Sequence, residues 1–135
     1  HAVAALGYSH PRLLAALAAQ AESLIFQSNA VPLEVRARAA LRLTRFAGLG
    51  LNTAFFVNTG AEANENALKL ALRITGRRKV VAVEGSFHGR TAAAGAVTWG
   101  AAQKWYGFPQ APCAVEFVPR GDLEAVERIL GREVE

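Results

Sequence analysis

Phe55-Phe56-Val57-Asn58-Thr59-Gly60-Ala61-Glu62 reads as a buried strand that runs straight into the first turn of a helix, with a glycine at the junction. Phe55, Phe56 and Val57 suit a pleated, packed position, Asn58-Thr59-Gly60 ends the run with turn chemistry, and Ala61 opens a stretch of helix formers. Thr59 and Glu62 match a capping box: the threonine hydroxyl accepts from the Glu62 amide, and the glutamate returns a bond to the Thr59 amide. A helix that starts just beyond the carboxyl end of a strand turns unpaired N–H groups toward a crevice, with the positive end of its dipole behind them. Such a place takes a phosphate or carboxylate, and Gly60 lets the anion approach the backbone. Capped junctions of this kind also occur without a ligand, so the pattern alone leaves both readings open.

Working outward, the helix from Gly60 is expected to reach about Thr75, with Ala63, Ala67, Leu70, Ala71 and Ile74 inward and Gly76 as its left-handed stop. Asn64 and Asn66 are poor interior helix formers, so one of them should make a specific hydrogen bond. Lys79 to Glu84 carries the β-branched run Val80, Val81, Val83 of a strand covered on both faces. Strand, helix, strand makes a βαβ unit and a largely parallel sheet. Gly85-Ser86-Phe87-His88-Gly89-Arg90-Thr91 then falls at the same carboxyl edge as Thr59-Gly60, where parallel sheets bind ligands. From Thr91 to Gly100 the chain should be helical and then irregular. Trp99, Trp105, Tyr106 and Phe108 should pin a long connection to the domain, Val115 to Val118 should form a third strand, and Asp122 should cap a last helix.

Upstream, Gly7 to Pro11 reads as a turn in which Ser9 caps a helix with Pro11 in its first turn and Leu13, Leu14, Leu17, Ala21, Leu24 and Ile25 on its apolar face. His10 is a turn or packing residue, since no second ligand stands near it. A second helix is expected from Leu33 to Phe46, and Gly48-Leu49-Gly50 ends it.

The 135 residues are 52% apolar, which argues against disorder, and no run of 18 apolar residues would span a membrane. Lone Cys113 rules out an intrachain disulfide and a thiolate metal cluster, and the expected compartment is a reducing cytoplasm. The net charge is +4, but basic residues are interleaved with acidic ones, and Arg77-Arg78-Lys79 is accounted for by a helix end. Nucleic acid is therefore not an expected partner. The opening at His1 and the close at Glu135 both look cut from a longer protein.

Asn58-Thr59-Gly60-Ala61-Glu62-Ala63-Asn64-Glu65 with Ala67-Leu68-Lys69-Leu70-Ala71, followed by Phe87-His88-Gly89-Arg90-Thr91, resembles the class III pyridoxal-phosphate aminotransferases, in the subgroup of the acetylornithine and ornithine enzymes. The turn at Gly7 to Pro11, Ser28-Asn29 and Val118-Pro119 resemble the same family in order and spacing. One departure is Ala30-Val31-Pro32, where relatives often carry an aromatic residue. The resemblance implies an α/β fold: part of the large domain of a fold type I pyridoxal-phosphate transferase, three-layered with a mostly parallel sheet. Residues 1–50 would be a helical segment leading into that domain and residues 51–135 its first, incomplete part.

It further implies that Thr59, Gly60 and Ala61 hold the phosphate of pyridoxal phosphate, that Phe87 stacks on its ring and that His88 lies close by. Arg90 would pair with a substrate carboxylate, as a planar guanidinium can. Against these stand an Arg90 salt bridge within the sheet edge and a His88 that only packs. The implied reaction moves the δ-amino group of acetylornithine or ornithine to 2-oxoglutarate, in a cytoplasmic homodimer. Other class III enzymes, acting on γ-aminobutyrate, diamines, aminoadipate-pathway amines or glutamate semialdehyde, are the nearest rivals. A non-enzymatic phosphate binder is more distant, because Thr59-Gly60-Ala61 lacks both the dinucleotide and the P-loop glycine patterns.

Such chemistry needs a lysine that holds the cofactor and moves protons, and an acid for its ring nitrogen. In the family both lie beyond this segment, and Lys69, Lys79 and Lys104 do not fit the role. No catalytic residue and no metal ligand is therefore expected here. Pyridoxal phosphate added to the isolated 135-residue chain should give no amino-group transfer in a coupled glutamate assay; sustained turnover would contradict this.

Overall fold

Among the described residues, most helices begin or end where a local device stops the backbone ladder. The computed structural model describes residues 3–131, in two compact units, His1–Phe55 and Phe56–Glu135. In the first unit, α1 spans Pro11–Ser23 and α2 spans Glu34–Ala47. Ser9 does not cap α1. Pro11 forces its predecessor out of the helical region, so His10 takes the cap position at ψ 121°, and Ser9 is displaced to φ 55°. The Nδ1 of His10 is buried without a hydrogen-bond partner among the described residues. At the other end, Leu24 is already extended, and the Gln20 side chain donates to its carbonyl at 2.8 Å, which ends the helix before Ile25. Leu13, Leu14 and Leu17 stay exposed, as does most of α2. Arg36 reaches back to donate to Asn29 Oδ1 and to the Val31 carbonyl, tying the 28–32 loop to α2.

The second unit is built on a parallel pair, β1 (Lys79–Val83) and β2 (Ala114–Val118), with Lys79 opposite Ala114 and Val83 opposite Val118. Side chains alternate across a strand, so Val81 and Val118 share one face with Lys79 and Glu116, while Val80, Ala82, Val115 and Phe117 share the other. On the first face α5 (Leu123–Gly131) packs through Ala125, Val126 and Ile129. Its start is fixed as expected, with Asp122 Oδ1 accepting from the Ala125 amide at 2.8 Å. On the second face Trp99 meets Phe117 edge-on at 5.0 Å, next to the short α4 (Ala92–Ala96) and a 3-10 turn at Ala101–Gln103. The sheet is therefore parallel and carries helical structure on both faces, an α/β architecture.

The strand expected at Phe55–Val57 is not formed. A strand is defined by its ladder, and no described residue pairs with this stretch; Phe55 is 76% exposed. The parallel connection instead runs from β1 through α4 to β2. α3 occupies Gly60–Thr75 and stops at Gly76, which is left-handed at φ 68° and donates to the Leu72 carbonyl. The aromatic connection is pinned less fully than its composition suggests. Trp99 packs on the sheet, but Trp105 is exposed with its ring against neighbouring Tyr106, and Phe108 stays exposed. Among the described residues no helix is long and apolar enough to cross a membrane.

Ile129 is 6% exposed in the α5 core. Ile129→Ala in the whole protein should cost about 2–5 kcal/mol, measured as a drop in the denaturation midpoint.

Candidate functional site

Thr59 adopts extended backbone, φ −139° and ψ 158°, and its Oγ1 accepts from the Glu62 amide at 3.1 Å. The return bond lands one residue earlier than a capping box predicts: Glu62 Oε2 accepts from the amide of Asn58, not of Thr59, at 2.7 Å. Ala63 donates to the Thr59 carbonyl. The cap thus uses the third and fourth amides of the helix and leaves those of Gly60 and Ala61 without an acceptor among the described residues. A Cβ placed on Gly60 would meet nothing within 4 Å, so the space in front of these donors is open.

The loop after β1 comes to the same place. Gly89 has φ 139°, and a Cβ there would stand 2.6 Å from Ala61 Cβ and 2.9 Å from Ala61 Cα. Only a glycine lets the loop touch the first turn of α3, on both steric and conformational grounds. Asn64 Nδ2 donates to the His88 carbonyl at 2.8 Å, which is the specific bond expected of one of the two asparagines; Asn66 bonds only the Glu62 carbonyl in its own helix. Buried Thr98 clasps the loop from the other side. Its Oγ1 accepts from the amides of His88 (2.9 Å) and Gly89 (3.2 Å), and its proton is directed at the carbonyls of Ala94 (2.9 Å) and Gly89 (3.0 Å). One hydroxyl uses its full capacity.

Thr59, Gly60, Ala61, Phe87, His88 and Arg90 therefore lie on two segments in direct contact at Ala61 and Gly89. Phe87 is 64% exposed and presents a free ring. His88 is half-buried, held by its backbone, with no hydrogen bond from its imidazole to a described residue. Arg90 is exposed and makes no ion pair among the described residues, so the alternative salt bridge is not formed; Lys79, at the opposite end of β1, pairs with Glu116 at 3.6 Å. No group of three or more candidate metal ligands occurs among the described residues. A cavity of about 390 Å³ between α4, Phe108, Cys113 and Phe117 is lined by none of these residues. Burial pushes the Cys113 thiol up, with the Glu65 charge adding to it, which disfavours a nucleophilic role.

A family profile described as aminotransferase class III matches residues 1–133. The chain belongs to the class III aminotransferases. Among similar relatives of this aminotransferase chain, the acetylornithine aminotransferase of Methanopyrus kandleri is 43% identical over 131 residues, covering 96% of this chain and 33% of its own. That of Myxococcus xanthus is 41% identical over 136 residues, covering 96% and 33%. The chain thus spans about a third of the length of the curated relatives it matches. Among solved structures, ornithine aminotransferase from Toxoplasma gondii superposes with a TM-score of 0.78 at 29% identity, over 93% of this chain and 31% of that one. The taurine:2-oxoglutarate aminotransferase of Bifidobacterium kashiwanohense, in complex with PLP and glutamate, gives 0.77 at 27% identity, over 95% and 33%. The α/β unit with its parallel sheet is accordingly part of the larger domain of this fold.

Residues that pattern reading passed over are Glu65 and Thr98. Glu65 sits one turn into α3, and its carboxylate accepts from the Thr91 hydroxyl (2.7 Å) and the amides of Ala93 (2.9 Å) and Ala94 (3.0 Å), capping α4 from another helix. Burial alone would raise this carboxyl. The hydrogen bonds from Ala94, Thr91 and Ala93, with the Lys69 charge, outweigh it and hold Glu65 below the usual glutamate range. A carboxyl lowered on folding stabilises the fold fully above its unfolded value of about 4.3, and that contribution fades as pH falls through the lower folded value. Denaturation of the whole protein and of Glu65→Gln across pH 7 to 3, as a range of about four units, should show the stability gap closing in acid; a gap that widened there would contradict the assignment.

Proposed function

We propose that the whole protein is a pyridoxal-phosphate-dependent aminotransferase that transfers the δ-amino group of acetylornithine or ornithine to 2-oxoglutarate, as a cytoplasmic homodimer. The observation that carries this reading is the contact of Gly89 with Ala61, which sets the segment of exposed Phe87 against the start of α3, whose first two amides have no acceptor among the described residues. The amides of Gly60 and Ala61 would take the cofactor phosphate, with the helix dipole behind them. Thr59 Oγ1 spends only a lone pair on the cap, so its proton remains to donate to the same phosphate. Phe87 would cover one face of the ring and His88 its neighbourhood. The cofactor, when bound, supplies the electron sink.

Arg90 would receive the substrate carboxylate in a bidentate pair. Its backbone is fixed while its guanidinium stays free of described ion-pair partners, the arrangement an arriving anion requires. Residues 1–50 would lead into the cofactor domain begun by residues 51–135. The isolated chain would bind but not transaminate, since no lysine on it fits the attachment role. The γ-aminobutyrate, diamine and aminoadipate-pathway aminotransferases and the glutamate-semialdehyde aminomutase of the same class remain the alternative, and the substrate panel decides between them.

With the whole protein, acetylornithine or ornithine should give the highest kcat/KM of a panel that includes γ-aminobutyrate and diamines. Arg90→Ala should reduce that value by a factor of about 10 to 100, mainly through KM, as expected for loss of a charged hydrogen-bonded pair. Equal rates on a diamine without a carboxylate, or an unaffected Arg90→Ala, would defeat the reading.

A further inference from the structure

Arg90 stands between two points that the fold fixes independently. On its N-terminal side, Gly89 is pressed on Ala61 and bonded through both its amide and its carbonyl to Thr98. On its C-terminal side, the Thr91 hydroxyl donates to Glu65 at 2.7 Å, and the amides of Ala93 and Ala94 in the first turn of α4 donate to the same carboxylate. The Arg90 backbone also packs close to Gly95, where an added Cβ would lie 3.7 Å from the Arg90 carbonyl carbon. α4 has only five residues and is too short to hold itself together. Its first turn depends on the Glu65 carboxylate, which the hydrogen bonds from Ala94, Thr91 and Ala93 hold below the usual glutamate range and so in its charged form at neutral pH.

We propose that Glu65 is a positioning residue for substrate: by capping α4 and gripping Thr91 it sets where the Arg90 guanidinium meets the substrate carboxylate. This rests on the reading of Arg90 given above. Glu65 touches neither substrate nor cofactor. It acts through the backbone on the C-terminal side of Arg90, whereas Asn64 and Thr98 hold the other side. The two sides have different consequences. Loosening the Thr91 side releases Arg90 but leaves the contact of Gly89 with Ala61, and with it the start of α3, in place.

The test uses the whole protein loaded with pyridoxal phosphate. Glu65→Ala should raise KM for the carboxylate-bearing amine donor about tenfold while changing kcat and the cofactor affinity, titrated by fluorescence on the apoprotein, by less than about threefold. Glu65→Gln, which keeps one acceptor, should recover part of the loss. In an Arg90→Ala background Glu65→Ala should add nothing, because the effect passes through Arg90. If Glu65→Ala does not fold, Thr91→Ala carries the same expectation, with Thr91→Ser as its rescue. An unchanged KM in a folded Glu65 or Thr91 variant overturns the proposal, as does a loss that persists undiminished without Arg90, or one matched by an equal loss of cofactor affinity. An unchanged KM in Arg90→Ala alone overturns the reading of Arg90 itself, and so is told apart from failure of the Glu65 inference.

Discussion

The absence of one carbon atom at Gly89 is the constraint on which the rest of the unit depends. With a methyl group there, the loop after β1 would be driven off Ala61, and the left-handed backbone would be strained as well. The two segments that carry every candidate binding residue would then part. Because they touch, the first two amides of α3, without acceptors among the described residues, and exposed Phe87 stand on adjoining segments.

Steric permission alone does not hold two loops together, and polar groups supply the rest. Thr98 spends its hydroxyl on the backbone of His88 and Gly89, Asn64 secures the His88 carbonyl, and Glu65 caps α4 across a gap of 26 residues or more in sequence. Hydrogen bonds to a charged acceptor contribute about 1.5–3 kcal/mol each. That is enough to order a five-residue helix that its own propensity would not sustain. The apolar side of this unit is modest by comparison: Val118, Ala125 and Ile129 on one face of the sheet, and Trp99 against Phe117 on the other.

Much of this architecture was legible because it is local. The Thr59 cap, the Gly76 stop, the Asp122 cap and the β-branched run at Val80 to Val83 each declare themselves within a few residues. Asn64 could be singled out because its helix gives it no reason to be there. What failed was either a contest between neighbours or a matter of distance. Pro11 overruled Ser9 through sterics, and Phe55 to Val57 has strand composition but no described partner, since pairing is decided elsewhere in the chain. Glu65 and Thr98 stayed hidden for a related reason. A glutamate in a helix reads as a wetted surface residue and a threonine in a small-residue stretch as filler, and only the approach of α3 to α4 turns them into acceptors and clasps.

One property of α3 reaches beyond its own hydrogen bonds. Its first two amides and its Asn64 and Glu65 side chains belong to the same rigid rod, separated by about 6 Å of helical rise. The rod acts as a ruler between whatever anion rests on its tip and the loop that bears Phe87 and Arg90. Tilting or sliding of the helix would carry both marks together, so the spacing between them does not change when the helix moves as a body.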